Sequence, residues 1–250
     1  MISKNQLKLV RQLEQKKYRQ REGLFVAEGP KVVGDLLRHG YHPTLLFALP
    51  VFLEQHAKLI GGCTTAQVND EELRRLSFLQ HPQQVLALFP IPAVSNVPLP
   101  ALDELCLALD GVQDPGNLGT IIRIADWFGI KTIYCSQDTA DVWNPKVVQA
   151  TMGSIARVNL YYINLEELIK QTDMPVYGTL LDGADIYAEP LTSNGIIVMG
   201  NEGNGISAPI RKLVTHQLLI PNFSTATDTA ESLNVAIATA ITCSEFRRRY

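Results

Sequence analysis

Apolar residues are spaced differently in the two parts of the chain. Near the start, a polar segment over residues 4–17 has the character of a surface helix and leads to Leu24-Phe25-Val26-Ala27-Glu28-Gly29. Val32, Val33, Leu36 and Leu37 then recur with helical spacing, and short apolar runs at 45–49 and 85–89 suit strands, which predicts a small α/β unit. Further along, apolar runs at 105–109, 132–135, 158–163, 176–181, 196–199 and 218–220 alternate with helical patterns. Those helices are expected to begin after Asn117, near Pro145, at Leu165, near Ser207 and around Ala230, the last carrying Leu233, Val235, Ala236, Ile237 and Ala240. Strands alternating with helices predict a mainly parallel α/β sheet covered on both faces. In such sheets ligands sit at the carboxyl ends of the strands, so the loops after these runs carry the functional interest.

Pro90, Pro92, Pro98 and Pro100 fall within eleven residues. Proline fixes its own backbone and donates no hydrogen bond, so this stretch suits an extended connector and neither a helix nor a central strand. The predicted domains are therefore 1–97 and 98–250. Charge supports the division. Residues 1–99 hold 12 Lys and Arg against 8 Asp and Glu, whereas residues 100–250 hold 10 against 17. The overall charge of −3 thus hides a basic first part that can face nucleic acid, its densest stretch being Lys16, Lys17, Arg19 and Arg21. A charged face on a surface helix is the plainer account of the same residues.

A hydrophobic share of 46% is enough to fill packed cores, so a folded protein is expected. No run of about 18 apolar residues occurs, and the start lacks the apolar block of a secretory signal, which places the protein in the cytoplasm with no membrane partner. Cys63, Cys106, Cys135 and Cys243 are far apart and read as buried thiols. His39 and His42 have no cysteine or carboxylate set beside them and read as loop residues, so no metal is expected.

Three loops stand out. The first, Asp110-Gly111-Val112-Gln113-Asp114-Pro115-Gly116-Asn117-Leu118-Gly119, leads into a helix that presents Arg123 among Ile121, Ile122, Ala125 and Phe128. Buried there, a guanidinium would need partners. The second is Gly200-Asn201-Glu202-Gly203-Asn204-Gly205, whose glycine order is not the dinucleotide fingerprint and could also be a plain turn. The third runs from Ile220-Pro221 to Glu231-Ser232-Leu233-Asn234, where Ser232 could instead be a helix cap. No phosphate-cradling GxxxxGK sequence is present.

Together these loops closely resemble the three motifs of the SpoU, or TrmH-like, RNA ribose methyltransferases of the SPOUT class. The resemblance covers residues 105–245: Asn117, Gly119 and Arg123 match the first motif, Gly200, Glu202 and Gly203 the second, and Ser232, Leu233 and Asn234 the third. The segment around Phe25-Val26-Ala27-Glu28-Gly29 is similar to the ribosomal-protein-like substrate-binding domain that often precedes this catalytic domain. One departure is the stretch 222–230, which is longer than usual and lacks the glycine commonly found there.

The resemblance implies transfer of a methyl group from S-adenosylmethionine to a ribose 2′-hydroxyl of RNA, a deep trefoil knot in the catalytic domain, and a homodimer. It places the cofactor against Thr179, Leu180, Gly200, Asn201, Ile220 and Leu233, and the catalytic group at Asn117, Arg123, Glu202, Ser232 and Asn234. Arg123 would act on the hydroxyl or its phosphate, Ser232 and Asn234 would orient ribose or Arg123, Asn117 would fix the first loop, and Glu202 would pair with basic or backbone groups. Ribosomal RNA, 23S foremost, is preferred to tRNA as target because an extra N-terminal domain suits a folded substrate. A non-catalytic RNA-binding protein of ribosome assembly is the alternative of another class, and the intact motifs count against it.

Overall fold

The computed structural model describes residues 2–224, 226, 228 and 230–250. In chain order its elements are α1 (Lys4–Gln12), α2 (Lys16–Glu22), β1 (Leu24–Glu28), α3 (Pro30–Arg38), β2 (Leu45–Ala48), α4 (Pro50–Ile60), β3 (Thr64–Gln67), α5 (Asp70–Leu76) and β4 (Val85–Pro90). They continue as β5 (Leu105–Asp110), α6 (Pro115–Trp127), β6 (Thr132–Cys135), α7 (Pro145–Ala150), β7 (Asn159–Tyr162), α8 (Leu165–Lys170), β8 (Val176–Asp185), β9 (Gly195–Gly200), α9 (Ala208–Arg211), β10 (His216–Leu219) and α10 (Val235–Arg248). Two compact units result. One holds everything up to Val94 together with Asp141–Arg157, and the other holds Ser95–Ala140 with Val158–Tyr250.

In the first unit the sheet order is β1-β4-β2-β3, with only β2 and β3 parallel. Val26, Phe47, Leu86 and Leu88 meet Val10 and Leu13 in its core. The segment expected as one helix over 4–17 is two helices, because Gln15 is extended at φ −94°, ψ 132°. Arg19 stabilises the break. Its guanidinium, 2% exposed, donates to the carbonyls of Leu13 at 2.8 Å and Glu14 at 2.7 Å and also pairs with Asp141. Those carbonyls would otherwise be left unpaired at the helix end. Arg19 therefore does not face phosphate, contrary to the expectation from sequence. Helix α7 packs on β1 in the same unit, with the rings of Trp143 and Phe25 4.5 Å apart.

The second unit carries a six-stranded sheet, β10-β8-β9-β5-β6-β7, in which every neighbouring pair is parallel. Its central strands β5 and β9 are buried along their whole length, as a sheet with both faces covered requires. Strand β8 runs to Asp185, beyond its apolar run, and pairs with β10 across a register shift between Gln217 and Leu218.

Helices α7, α8 and α9 start where expected, at Pro145, Leu165 and Ala208, and two other starts differ. Helix α6 begins at Pro115, two residues before Asn117, with Asp114 as its cap, and α10 begins at Val235, well past Ala230. Prolines open α3, α4, α6 and α7, where a missing N–H costs nothing and the fixed φ is already helical. Among the described residues no helix is long and apolar enough to cross a membrane.

Candidate functional site

All strands of the second sheet point the same way, so the loops after β5, β9 and β10 gather at one edge. The loop after β5 turns at Gly111, whose φ of 76° an L side chain rarely adopts. Its N–H donates to Ser136 Oγ at 2.8 Å, and its carbonyl accepts from Asn201 Nδ2 at 2.7 Å. Asp110 accepts the Ser207 N–H at 2.7 Å, which fixes the far end of the second loop to the first strand. Within the second loop, Asn201 and Gly205 exchange backbone hydrogen bonds of 2.9 Å, and Asn201 Oδ1 accepts from Gly203 N at 2.9 Å and Asn204 N at 3.0 Å. Asn201, expected as a cofactor contact, thus also shapes this loop from within.

A chain of three side chains ties the loops together. Asn117 Nδ2 donates to Glu202 Oε1 at 2.9 Å, and Asn234 Nδ2 donates to Asn117 Oδ1 at 2.9 Å. Asn234 Oδ1 in turn accepts from the N–H groups of Ala236 at 3.0 Å and Ile237 at 3.3 Å, capping α10. The orientation of both amides follows from the ends of this chain. A carboxylate can only accept and a helix N-terminus can only donate, so each asparagine must turn its NH2 toward Glu202. The cap is therefore Asn234, not Ser232, and the partner of Glu202 is a neutral amide, not a basic group. Asn117→Asp, which keeps the shape but replaces the donor with a second carboxylate, should separate the first and second loops. A misplacement of about 1 Å costs roughly 100-fold in rate, so turnover should fall on that scale. Asn117→Asp with unchanged single-turnover rate would show that this contact does not position the site.

The loops enclose a cavity of about 490 Å³. Of the residues expected around the cofactor, Thr179, Leu180, Gly200, Asn201, Ile220 and Leu233 all line it, as do Glu202 and Ser232. Asn117, Arg123 and Asn234 do not. Asp182 is not expected at the site from the sequence, and Glu231 is expected only as part of the third loop; with Glu202 they give the described wall three carboxylates against one cation, Arg211. Arg211 hydrogen-bonds Asp182 and holds its carboxyl below the ordinary range. Apolar side chains from Met199, Ile206 and Leu218 complete the wall. An apolar pocket with an excess of negative charge fits S-adenosylmethionine, which joins a flat purine to a sulfonium and an ammonium group.

Arg123 is exposed on α6 and, among the described residues, makes no hydrogen bond or ion pair. The sequence expectation of a buried guanidinium is thereby corrected. Of the stretch 222–230, Thr225, Thr227 and Thr229 lie outside the described residues. Cys106, Cys135 and Cys243 are buried, and Cys63 is only partly so. Burial pushes the thiols of Cys106 and Cys243 up to about 12, which leaves no thiolate for nucleophilic work. His39 closes α3, its Nδ1 2.9 Å from the Asp35 carbonyl. No group of three His, Cys, Asp or Glu able to hold a metal occurs among the described residues.

Comparison with known proteins agrees with this geometry. The profile of the SpoU rRNA methylase family matches residues 104–244, and that of an MRM3-like substrate binding domain matches residues 4–87. The 23S rRNA (guanosine(2553)-2′-O)-methyltransferase RlmP of Bacillus subtilis is 31% identical over 96% of this chain and 95% of its own length. The structure of a TrmH-family protein from Porphyromonas gingivalis superposes with a TM-score of 0.89 at 41% identity, covering 100% of both chains. An rRNA methyltransferase from Sinorhizobium meliloti with AdoMet bound gives 0.87 at 32%, covering 100% of this chain and 97% of that one. The profile match spans more than half the chain and takes in all three loops, and the chain belongs to the SpoU rRNA methylase family.

Proposed function

We propose that this protein methylates a ribose 2′-hydroxyl of 23S ribosomal RNA with S-adenosylmethionine as methyl donor. The observation that carries the reading is the cavity itself: every residue expected around the cofactor from the motif resemblance lines one pocket at the carboxyl edge of the parallel sheet. The bound cofactor would supply an electrophilic methyl group on sulfur. The chain's own residues have to hold the accepting oxygen in line with it, so positioning is a large part of the catalysis. The backbone around Gly200, Ile220 and Leu233 would hold the cofactor, and Glu202 would keep the Asn117 amide, and with it the first turn of α6, in place.

Arg123 acts on the RNA. A guanidinium stays protonated at any working pH and makes a poor base, but its planar fork suits a phosphate and its charge stabilises a developing alkoxide. That it has no partner among the described residues supports this role. Ser232, exposed at the cavity wall and capping nothing, is free to bond ribose. The names of the relatives favour ribosomal RNA over tRNA. A homodimer and a knotted cofactor site, in a cytoplasmic protein, complete the proposal. Trp127 on α6 and Ile237 on α10 are exposed large apolar side chains of the catalytic unit, and their burial against a second copy would support the dimer.

The test is twofold. Mapping 2′-O-methyl positions in RNA from cells with and without the gene should show one position in 23S RNA lost with the gene, and an unchanged map overturns the assignment. Calorimetry should show S-adenosylmethionine binding with equal affinity in excess chelator. Loss of binding there would mean that a metal is part of the site.

A further inference from the structure

Basic residues are concentrated at the start of the chain in a way that charge counting over a whole domain does not convey. Residues 1–22 hold seven Lys and Arg against two Glu. Arg19 is buried and structural, and Arg21 is bound to Glu22 at 2.6 Å. The others behave differently. Lys4, Lys8 and Arg11 recur at the spacing that puts side chains on one face of α1, over about 10 Å of helix axis. Arg11 Nη2 donates to the carbonyl of Arg75 at 2.7 Å, which brings the basic end of α5, Arg74 and Arg75, beside the end of α1. Lys16 and Lys17 follow at the start of α2.

All seven of these side chains are exposed, and among the described residues none is paired with a carboxylate. Several exposed cations elsewhere do find acids: Lys31 and Arg38 pair with Asp35, Lys170 with Glu166, and Arg248 with Glu245; those that do not, such as Lys58, Lys131, Lys146 and Lys212, are scattered along the chain rather than gathered on one helix face. The face is also rigid. A capping box of Ser3 and Gln6 fixes the start of α1, Val10 and Leu13 bury its inner side, and Arg19 anchors α2 through three partners. Positive charges held on a rigid frame without acidic partners are what a phosphate backbone needs, and a disordered basic tail would bind less selectively for position.

We propose that the exposed face of α1 and the start of α2, with Arg74 and Arg75 of α5, is a track for the RNA sugar-phosphate backbone. It positions the RNA without reading its bases. Two aromatics lie beside it and both carry cations: Tyr18 has Lys17 Nζ and Arg21 Cζ each 4.8 Å from its ring centre, and Phe78 has Arg11 Cζ at 5.5 Å, so neither is an open platform for stacking a base. The proposal deepens the reading of RNA as substrate and rests on it.

The experiment compares three full-length variants in filter binding to deproteinised 23S RNA over a range of salt. The first replaces Lys4, Lys8, Lys16 and Lys17 with alanine. The second replaces the same four with arginine. The third replaces four exposed lysines elsewhere, Lys58, Lys131, Lys146 and Lys212, with alanine. Each phosphate contact removed lowers the slope of log affinity against log salt by about one, so the first variant should lose roughly three to four from the slope and about 10- to 100-fold in affinity. Its melting temperature and S-adenosylmethionine affinity should not change, and the other two variants should keep wild-type slopes. An unchanged slope in the first variant overturns the track, as does an equal loss in the third, or a loss in the charge-preserving second. RNA affinity is read here without methyl transfer. A wild-type protein that binds RNA through this face but methylates nothing would sink the enzymatic reading and leave the track standing.

Discussion

Arg123→Ala is expected to melt at the wild-type temperature, bind S-adenosylmethionine as before, and turn over roughly 100- to 1000-fold more slowly in a single-turnover assay. The first two outcomes follow from the environment of the side chain. It is exposed on α6, about two turns from the Asp114 cap, and among the described residues makes no hydrogen bond or ion pair, so its removal leaves none of them buried and unpaired. The cavity that would hold the cofactor does not include it. A structural arginine in this chain looks different: Arg19 is 2% exposed and donates to two carbonyls and a carboxylate. The loss of rate is the part that depends on function, and it is the scale seen when a donor aimed at developing charge is deleted. Arg123→Lys should recover little, because a point charge on a flexible stem does not reproduce a planar fork on phosphate. An Arg123→Ala enzyme with wild-type rate would end the catalytic role of this residue.

The three loops were legible in the sequence because each is polar and follows an apolar run, the first two being also rich in glycine. Their convergence is what a parallel sheet does to any loops at its carboxyl edge. The contacts that lock them were not legible. Asn117 reaches Glu202 across 85 residues of chain and Asn234 across 117, and nothing local distinguishes a surface asparagine with such a partner from one without. The same holds for Arg19. Its neighbours Lys16, Lys17 and Arg21 are exposed, and only the contact with Asp141, 122 residues away, makes it a core residue.

Other elements were missed for local reasons. Strand β3 is mostly exposed and reads Thr-Thr-Ala-Gln, so no apolar alternation announces it. The expected start of α6, after Asn117, is about three residues late because Pro115 looks like part of the loop, although proline at a first helical position is favoured. The segment Asp141–Arg157 lies inside the span of the catalytic-family match but packs in the first unit, through Trp143 on Phe25 and Asp141 on Arg19. A proline-rich connector marks one crossing of the chain between the units. The two other crossings, between Ala140 and Asp141 and between Arg157 and Val158, have no proline-rich or low-complexity signal.

Gly200→Ala is expected to cost more than any other single methyl group in the second unit's loops. The strand β9 ends there with Gly200 in register with Asp110 of β5, and the second loop folds back so that Gly205 bonds Asn201 in both directions. A Cβ on Gly200 would lie 2.2 Å from the carbonyl carbon of Gly205 and 2.4 Å from the nitrogen of Ile206. Both are backbone atoms, so no side-chain rotation relieves the clash. The sheet holds one side, and the loop must move. Gly203 in the same loop is the control, since a Cβ there would meet only Asn201 Oδ1, at an ordinary 3.6 Å. Overpacking of this kind costs about 1–3 kcal/mol. If the strain is relieved by displacing the loop, the same energy must be restored when the pocket closes on its ligand, which weakens S-adenosylmethionine binding roughly 10- to 100-fold. Glu202 moves with the loop and loses the Asn117 amide, so the turnover of Gly200→Ala at saturating cofactor should also fall. Gly203→Ala should bind and react as wild type. Calorimetry on the two variants side by side decides the matter: equal affinities would mean that the loop after β9 does not form the wall of the cofactor site, whatever its sequence resembles.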